Sequence, residues 1–432
     1  MTTSTLPRSE YDPEPRFVID LARALSDRFD ITVLAPSFPG AAPRARLFGV
    51  DVIYYRYAPL NSWERLAYPG GIMSRLRVSP LSWSLVPWLI VGQAIALRRL
   101  LARERYDLIH AHWLVPQGLV AALLPRDLRL PFVVTSHGGD LFTLGRGPFK
   151  RLLRFVLGRA AAVTVVSSEL FQTVQRLVPE RQVNASVHHI PMGVDVAHFA
   201  QAARDAPKPA DLPTDGQIIL FAGRLAQKKG VGVLIDALAA TDGPLAKAKL
   251  VVIGDGPLRS TLVSYVQNRQ LTSRVLFLGA RHHGDLPAYM AAADVFVLPS
   301  VEAADGDKDG LPVTLIEAAA CSLPAVASDI AGVPEFVTDG YNGLLVRPGD
   351  SEALRAALQG LLTDAGKRSS LAAAAFRSAK SFDWGVIARR YAQVFEAVLA
   401  GSGGALEEVR GVPPVPGTTG KPLASKARTG QS

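Results

Sequence analysis

The chain has 432 residues, 48% of them apolar and 20% charged, an ordinary balance for a globular protein long enough for two or three domains. Its net charge is +9; residues 1–200 hold 23 Lys/Arg against 15 Asp/Glu, so the first part carries +8 and the rest +1. The single cysteine, Cys321, excludes a disulfide framework and a cysteine metal site, and the absence of a basic run interleaved with aromatics speaks against nucleic acid and for an anionic substrate or an acidic membrane surface.

The opening "MTTSTLPRSEYDPEPRF" lacks the apolar core of a secretory signal, so a cytoplasmic chain is expected. A doubly wound domain begins with an apolar strand that lies mid-sheet. Here "TTSTLPR", Thr2 to Arg8, reads as the loop after such a strand, and "RFVIDLARALSDRF" from Arg16 reads as the first helix. The first strand of the N-terminal domain is therefore expected to be missing, with the true start upstream and a gap left between two inner strands.

Strand candidates follow at "ITVLAP" (Ile31), "DVIYYRY" (Asp51), "DLIHAHW" (Asp107), "FVVTSHG" (Phe132), "AVTVVSS" (Ala162) and "VHHIPMGVD" (Val187). Between them, "LSWSLVPWLIVGQAIAL", Leu81 to Leu97, is short for a membrane span and is interrupted by Pro87, Gly92 and Gln93. It reads as a helix buried in its domain; the alternative is a face resting on a bilayer, with Arg98, Arg99, Arg103 and Arg105 directly after it. The polar, proline-rich stretch 201–216 reads as a linker. Strands resume at "QIILFAGR", "KLVVIGDG", "VLFLGA", "DVFVLPS", "PAVASD" and "GLLVRPGD", and helices at about 351–363, 367–380 and 384–400. The expected fold is α/β: two Rossmann-like doubly wound halves, 1–200 and 217–383, facing a cleft. Residues 384–400 are expected to pack back toward the N-terminal domain, and the Gly/Pro/Ser/Thr-rich tail 401–432 to be disordered.

Three motifs fall at strand ends, where such sheets bind ligands. "LFAGRLAQKKGVGVLIDAL" runs strand, glycine loop, helix. Gly223 is expected to take an unusual backbone angle, and Arg224 and Lys229 to meet a phosphate near the helix start at Gly230; the competing reading is a solvated basic loop. "VVIGDGP" places Gly254 in a turn on the same edge. "TSHGGDLF" puts His137 at a strand end facing the cleft. His110 and His112 read as core residues or supports behind the site, and His188–His189 and His282–His283 show no metal-ligand spacing.

"DGDKDGLPVTLIEAAA" fits a calcium loop for half its length and then fails, because the required carboxylate position is Ile316 and Glu317 comes one residue late. An Asp305–Asp307 metal pair is an alternative. The favoured reading lets the backbone at Gly310, followed by Leu311, approach a ligand closely and puts Pro312 in the first turn of a helix, where its missing N–H costs nothing, so that the N–H groups of Val313 and Thr314 face a phosphate or sugar. Asp309 and Glu317 are then an acid pair, with Glu317 able to accept both hydroxyls of a ribose.

These motifs, in this order from about Thr3 to Ala400, resemble the group 1 family of retaining glycosyltransferases, which have the GT-B fold. "GRLAQKKG", "FLGARHHGDLPAYMAAADVFVLPS", the block from "DGLPVTLIEAAA" to "YNGLLV", "SHGGD" and "GVDVAHF" carry the resemblance. It implies a nucleoside-diphosphate sugar donor and a saccharide or lipid-linked acceptor, with no cofactor and no metal. It assigns Arg224 and Lys229 to the diphosphate, Glu317 to the ribose, His137 to the transferred sugar and the turn near Arg281 to the base. Two departures stand out: Asp309 replaces the usual glutamate, and "LPRSEYDPEPRF" replaces the family's first glycine-rich loop. Rival readings are a phosphorylase or epimerase on the same architecture, and a non-catalytic sugar-nucleotide-binding partner.

Overall fold

The computed structural model describes residues 1–68, 71–72, 75–76, 79–145, 149–178, 186–239 and 243–401. The expected disordered tail falls outside the described residues beyond Gly401.

The β-branched runs form strands at the expected places. In the first half these are β1 (Thr32–Pro36), β3 (Val50–Tyr55), β4 (Ile109–His112), β5 (Phe132–Ser136), β6 (Ala162–Val165) and β7 (Ser186–His189). An additional strand, β2 (Arg44–Leu47), pairs antiparallel with β3 at the sheet edge. Its "RARL" is short and polar, as edge strands often are. The order is β2–β3–β1, then β4–β5–β6–β7. Between β1 and β4 lies the slot expected to lack its strand. Met1–Thr3 occupy it: Thr2 bridges Leu34 on one side and Ala111 on the other. The Thr2 N–H donates to His110 O and the Thr3 N–H to Leu34 O. The loop therefore begins at Ser4 rather than Thr2, and these three residues supply ladder bonds on both flanks. The Met1 amine donates to Thr32 O at 2.6 Å, and burial pushes its pKa down to about 5.

The second sheet is parallel throughout, in the order β10–β9–β8–β11–β12–β13. Its strands are β8 (Ile218–Ala222), β9 (Lys249–Ile253), β10 (Val275–Gly279), β11 (Val295–Leu298), β12 (Ala325–Ser328) and β13 (Leu344–Val346). Strand order reverses between β8 and β11, and such a switch point opens a crevice at the carboxyl edge.

Helices pack on both sheets. In the first half α1 (Phe17–Leu25) buries Val18, Ile19, Leu21, Ala22 and Leu25. Next comes α2 (Leu85–Arg103), which carries the apolar stretch. It is not the buried helix the sequence suggested: only Leu89, Gln93 and Leu97 are buried. Among the described residues, Pro80–Arg103 is one helical segment long and apolar enough to cross a membrane, with 17% of its apolar window buried. The first half closes with α3 (Ser168–Leu177), whose N-terminus is capped by Ser167.

The stretch expected as a linker from Gln201 starts later, because α4 (Val196–Asp205) runs through Asp205. Asp195 caps α4 by accepting from His198 N–H, and α4 packs on the second sheet's helices α6 (Leu286–Ala291) and α7 (Val313–Ala320). Between them in sequence, α5 (Val231–Ala237) follows β8. Last, α8 (Trp384–Leu399) returns to α1 and buries Ile387, Tyr391, Val394 and Phe395 in the first domain's core.

Candidate functional site

The carboxyl edge of the second sheet brings two glycine turns into contact. The left-handed residue is Gly254, at φ +131, not Gly223 as expected. A methyl group on Gly254 would lie 1.9 Å from Gly223 O. The two strand ends can meet only because Gly254 has no side chain, which is a packing reason for the second turn. At the switch point Gly230, at φ +63, leads into α5, and a methyl there would lie 1.8 Å from Pro299 O. The loop holding Lys228 and Lys229 is thus pressed onto the end of β11.

That loop faces the acidic run. Lys229 Nζ lies 2.7 Å from Asp309, and Lys228 Nζ lies 3.3 Å from both Asp307 and Asp309. Burial pushes the Asp309 carboxyl up, but Lys229 and Lys228 outweigh it and hold the pKa below the ordinary value. An ammonium sits where a metal reading of Asp307 would place a cation. Among the described residues, no cluster of three or more His, Cys, Asp or Glu could hold a metal ion.

Pro312 is not in the first turn as expected but stands one residue ahead of it, accepting from Leu315 N–H at 3.1 Å, so that α7 opens at Val313 and the Val313 and Thr314 N–H groups have no partner inside the helix. On this edge the buried atoms Ser300 Oγ, Thr314 Oγ1 and Glu317 Oε2 have no hydrogen-bond partner within the protein, whereas Asp309 Oδ2, also without a hydrogen bond, is met by the charge of Lys229. Buried polar atoms are almost always satisfied, so this grouping marks a place where a ligand or ordered water belongs. Glu317 is not free to accept with both oxygens, because Oε1 is 2.8 Å from His283 Nε2. Burial pushes the His283 imidazolium down, but the charge and hydrogen bond of Glu317 outweigh it, and its pKa lies above the ordinary value. No local signal ties His283 to Glu317, which is 34 residues away.

The Arg281 side chain is taken: Nε donates to Tyr289 Oη at 3.1 Å and Nη2 to Asp211 at 2.8 Å. The turn that carries it follows β10, and Gly254 N–H donates to Gly279 O at 2.8 Å.

Across the cleft, His137 follows β5. Its Nε2 is 3.0 Å from His112 Nδ1, and its ring lies 4.8 Å from both Phe17 and Trp113. Burial lowers the His137 pKa, so the imidazole is neutral at pH 7. Trp113 is held at φ 76, an uncommon value for a large side chain. Asp140, which sequence reasoning passed over, ties this loop down: it accepts from Leu114 N–H at 2.7 Å and from Ser136 Oγ at 2.5 Å. His110 and His112 are buried supports, His110 bonding Thr135 at 2.7 Å. Phe17, the first residue of α1, packs on His137, and the charges of Arg16, one residue ahead of α1, and of Asp20 shift His283 in opposite directions.

Interdomain contacts hold the cleft. Glu335 accepts from Ser168 N–H at 2.6 Å and lies 2.9 Å from His189. Lys308 reaches Glu169 at 3.0 Å, and His282 Nε2 lies 2.8 Å from Glu10 O. Gly310 abuts Val166 of the first domain, so its missing side chain serves the domain contact.

Comparison with known proteins decides the family. Residues 203–378 match the model for glycosyl transferases group 1, and residues 15–198 that for glycosyltransferase family 4. Phosphatidyl-myo-inositol mannosyltransferase of Mycobacterium leprae is 30% identical over 88% of this chain and 92% of its own. The chain belongs to the group 1 glycosyltransferases. The putative teichuronic acid biosynthesis glycosyltransferase TuaC of Bacillus subtilis is 32% identical over 61% of this chain, a match spanning 63% of TuaC. Among solved structures, sucrose-phosphate synthase of Thermosynechococcus elongatus superposes with a TM-score of 0.72 at 23% identity, covering 91% of this chain and 98% of that one. Anabaena HepE in complex with UDP and glucose gives 0.66 at 22%, covering 88% and 95%. The architecture is the two-domain GT-B fold.

Proposed function

We propose that this glycosyltransferase moves a sugar from a nucleoside diphosphate to a saccharide or lipid-linked acceptor with retention of configuration, at the cytoplasmic side of the cell membrane, in cell-envelope or exopolysaccharide synthesis. The observation that carries the donor assignment is the orphaned polar set of Ser300, Thr314 and Glu317 beside Lys229 at the switch point. A nucleoside diphosphate has what that set lacks: hydroxyl donors for Glu317 Oε2 and phosphate oxygens for the α7 first turn and the lysine. The family membership, and the UDP and glucose bound by HepE, support the same reading.

In this reading Arg224 and Lys229 meet the diphosphate, whose negative charge grows as the glycosidic bond breaks. Cations fixed in a cleft stabilise that charge without reorganising. Lys229 must exchange Asp309 for phosphate or share itself between them. Glu317 Oε2 accepts from one ribose hydroxyl while His283 holds Oε1. Neutral His137, fixed by His112, can donate to or accept from a sugar hydroxyl without adding charge. No metal is assigned a step, because Lys228 already supplies the positive charge at Asp307 and Asp309.

The test is nucleotide release from UDP-, GDP- and ADP-sugars, with and without soluble and lipid-linked acceptors, and the anomeric configuration of the product by NMR. Acceptor-dependent release from one donor, with retention, is expected. No turnover and no thermal stabilisation by any of these donors would sink the reading.

A further inference from the structure

The transfer site leaves unexplained an apolar surface on α2 and the turn before it. Leu81, Trp83, Trp88, Val91 and Ile95 are between 44 and 85% exposed. The outward stripe of a surface helix is normally polar. Here Trp88, Val91 and Ile95, at i, i+3 and i+7, occupy it, while Leu89, Gln93 and Leu97 face inward. Arg98 and Arg99 continue the exposed side. Between Arg56 and Arg105 the chain has eight arginines and two glutamates, and one of these, Glu64, is buried against Arg56 at 2.6 Å. Exposed tryptophans on a helix that ends in exposed arginines, in a stretch where arginines outnumber acids eight to two, are the composition of a surface that lies in the headgroup region of an anionic bilayer.

The surface is also in the right place. As the connection between parallel β3 and β4, α2 runs antiparallel to the strands, so its first turns lie toward their carboxyl ends. Gly92 presses on the backbone just past β3: a methyl there would lie 2.5 Å from Arg56 O. Leu85–Val91 and the turn holding Leu81 and Trp83 therefore project beyond the sheet edge from which the cleft opens.

We propose that Leu81, Trp83, Trp88, Val91 and Ile95, flanked by Arg98 and Arg99, dock the first domain onto an anionic lipid surface and bring the mouth of the cleft to the bilayer. A second copy of the chain fits this surface less well, since self-pairing would bring two faces of the same positive sign together. Docking itself stands apart from the transfer reading; only its use, delivery of a lipid-linked acceptor, rests on that reading.

The experiment is co-sedimentation of the full chain with phosphatidylcholine vesicles, with and without phosphatidylglycerol. Binding is expected only with phosphatidylglycerol and should weaken as salt rises. Arg98→Gln and Arg99→Gln should each lower the partition constant about fivefold. Trp88→Glu and, independently, Val91→Glu should leave the protein in the supernatant, with unchanged circular dichroism. Leu399→Glu, at an exposed apolar residue of α8, should sediment as wild type. Wild type that ignores both vesicles overturns the proposal. So do Trp88→Glu and Val91→Glu chains that sediment normally, and so does a wild-type dimer that Trp88→Glu dissociates without any vesicle binding. Nucleotide release with a soluble acceptor is read in parallel. Its absence in a vesicle-binding wild type counts against the transfer reading and leaves docking intact.

Discussion

Replacing His283 with alanine removes the partner of a nearly buried carboxylate. The His283 and Glu317 side chains are 25% and 5% exposed and lie 2.8 Å apart. Glu317 Oε2 already has no partner within the protein, so His283→Ala leaves both oxygens unsatisfied. Breaking a fully buried pair in this way costs about 3–5 kcal/mol. Water can enter the space on the His283 side, so a loss of about 1–2 kcal/mol is expected. For a domain of this size that is a fall in Tm of roughly 2–8 °C. The effect has a pH signature. The His283 pKa is raised above its ordinary 6.5, with Glu317 and Asp20 acting upward and Arg16 downward. Its contribution is therefore full below pH 6.5 and is lost as pH rises through the raised value. Differential scanning calorimetry at pH 6 and pH 9 should show the gap between wild type and His283→Ala narrowing at the higher pH. It should not close, because neutral His283 can still donate one hydrogen bond. His283→Gln should lie between the two and show little pH dependence. A gap of equal size at both pH values would refute the charged pair, and no gap at all would refute the pairing itself.

Arg224→Ala and Lys229→Ala should each cost about 2–4 kcal/mol of transition-state stabilisation, read as kcat/KM for nucleotide release; near-normal turnover in both would overturn the donor assignment. Glu317→Gln should weaken donor binding by isothermal titration, since a neutral amide accepts more weakly from a ribose hydroxyl than a carboxylate does. Asp309→Glu should keep both lysine contacts and most of the activity. Asp309→Asn should instead lower stability at pH 7, and that deficit should vanish in acid, because the Asp309 pKa is held below 3.8 and its contribution is lost only as pH falls through that lowered value. Turnover should survive EDTA; abolition by EDTA and rescue by one divalent ion would favour the Asp305–Asp307 metal reading.

Much of this was legible in the chain because its signals are local. The apolar runs "QIILFA", "KLVVI" and "DVFVL" are strands for reasons contained in a few residues, and Asp350, Asp364 and Asp383 cap the last three long helices one residue ahead of each. Motifs directly after a strand must lie at the carboxyl edge once the sheet is parallel, so His137 after β5 and Arg224 after β8 are placed on that edge by sequence alone. Partnership between distant residues is another matter. Nothing in "RHHGDL" says that the second histidine meets Glu317, that Asp140 rather than a glycine steadies the His137 loop, or that Gly254 rather than Gly223 takes the left-handed turn. Those facts depend on which strand ends meet. The apolar stretch from Leu81 to Leu97 shows the limit most clearly: sequence established that it is apolar, since transfer free energy belongs to the side chains themselves. Only tertiary structure decided which of those side chains the core had room to cover, because burial depends on the neighbours that β1 and β3 provide.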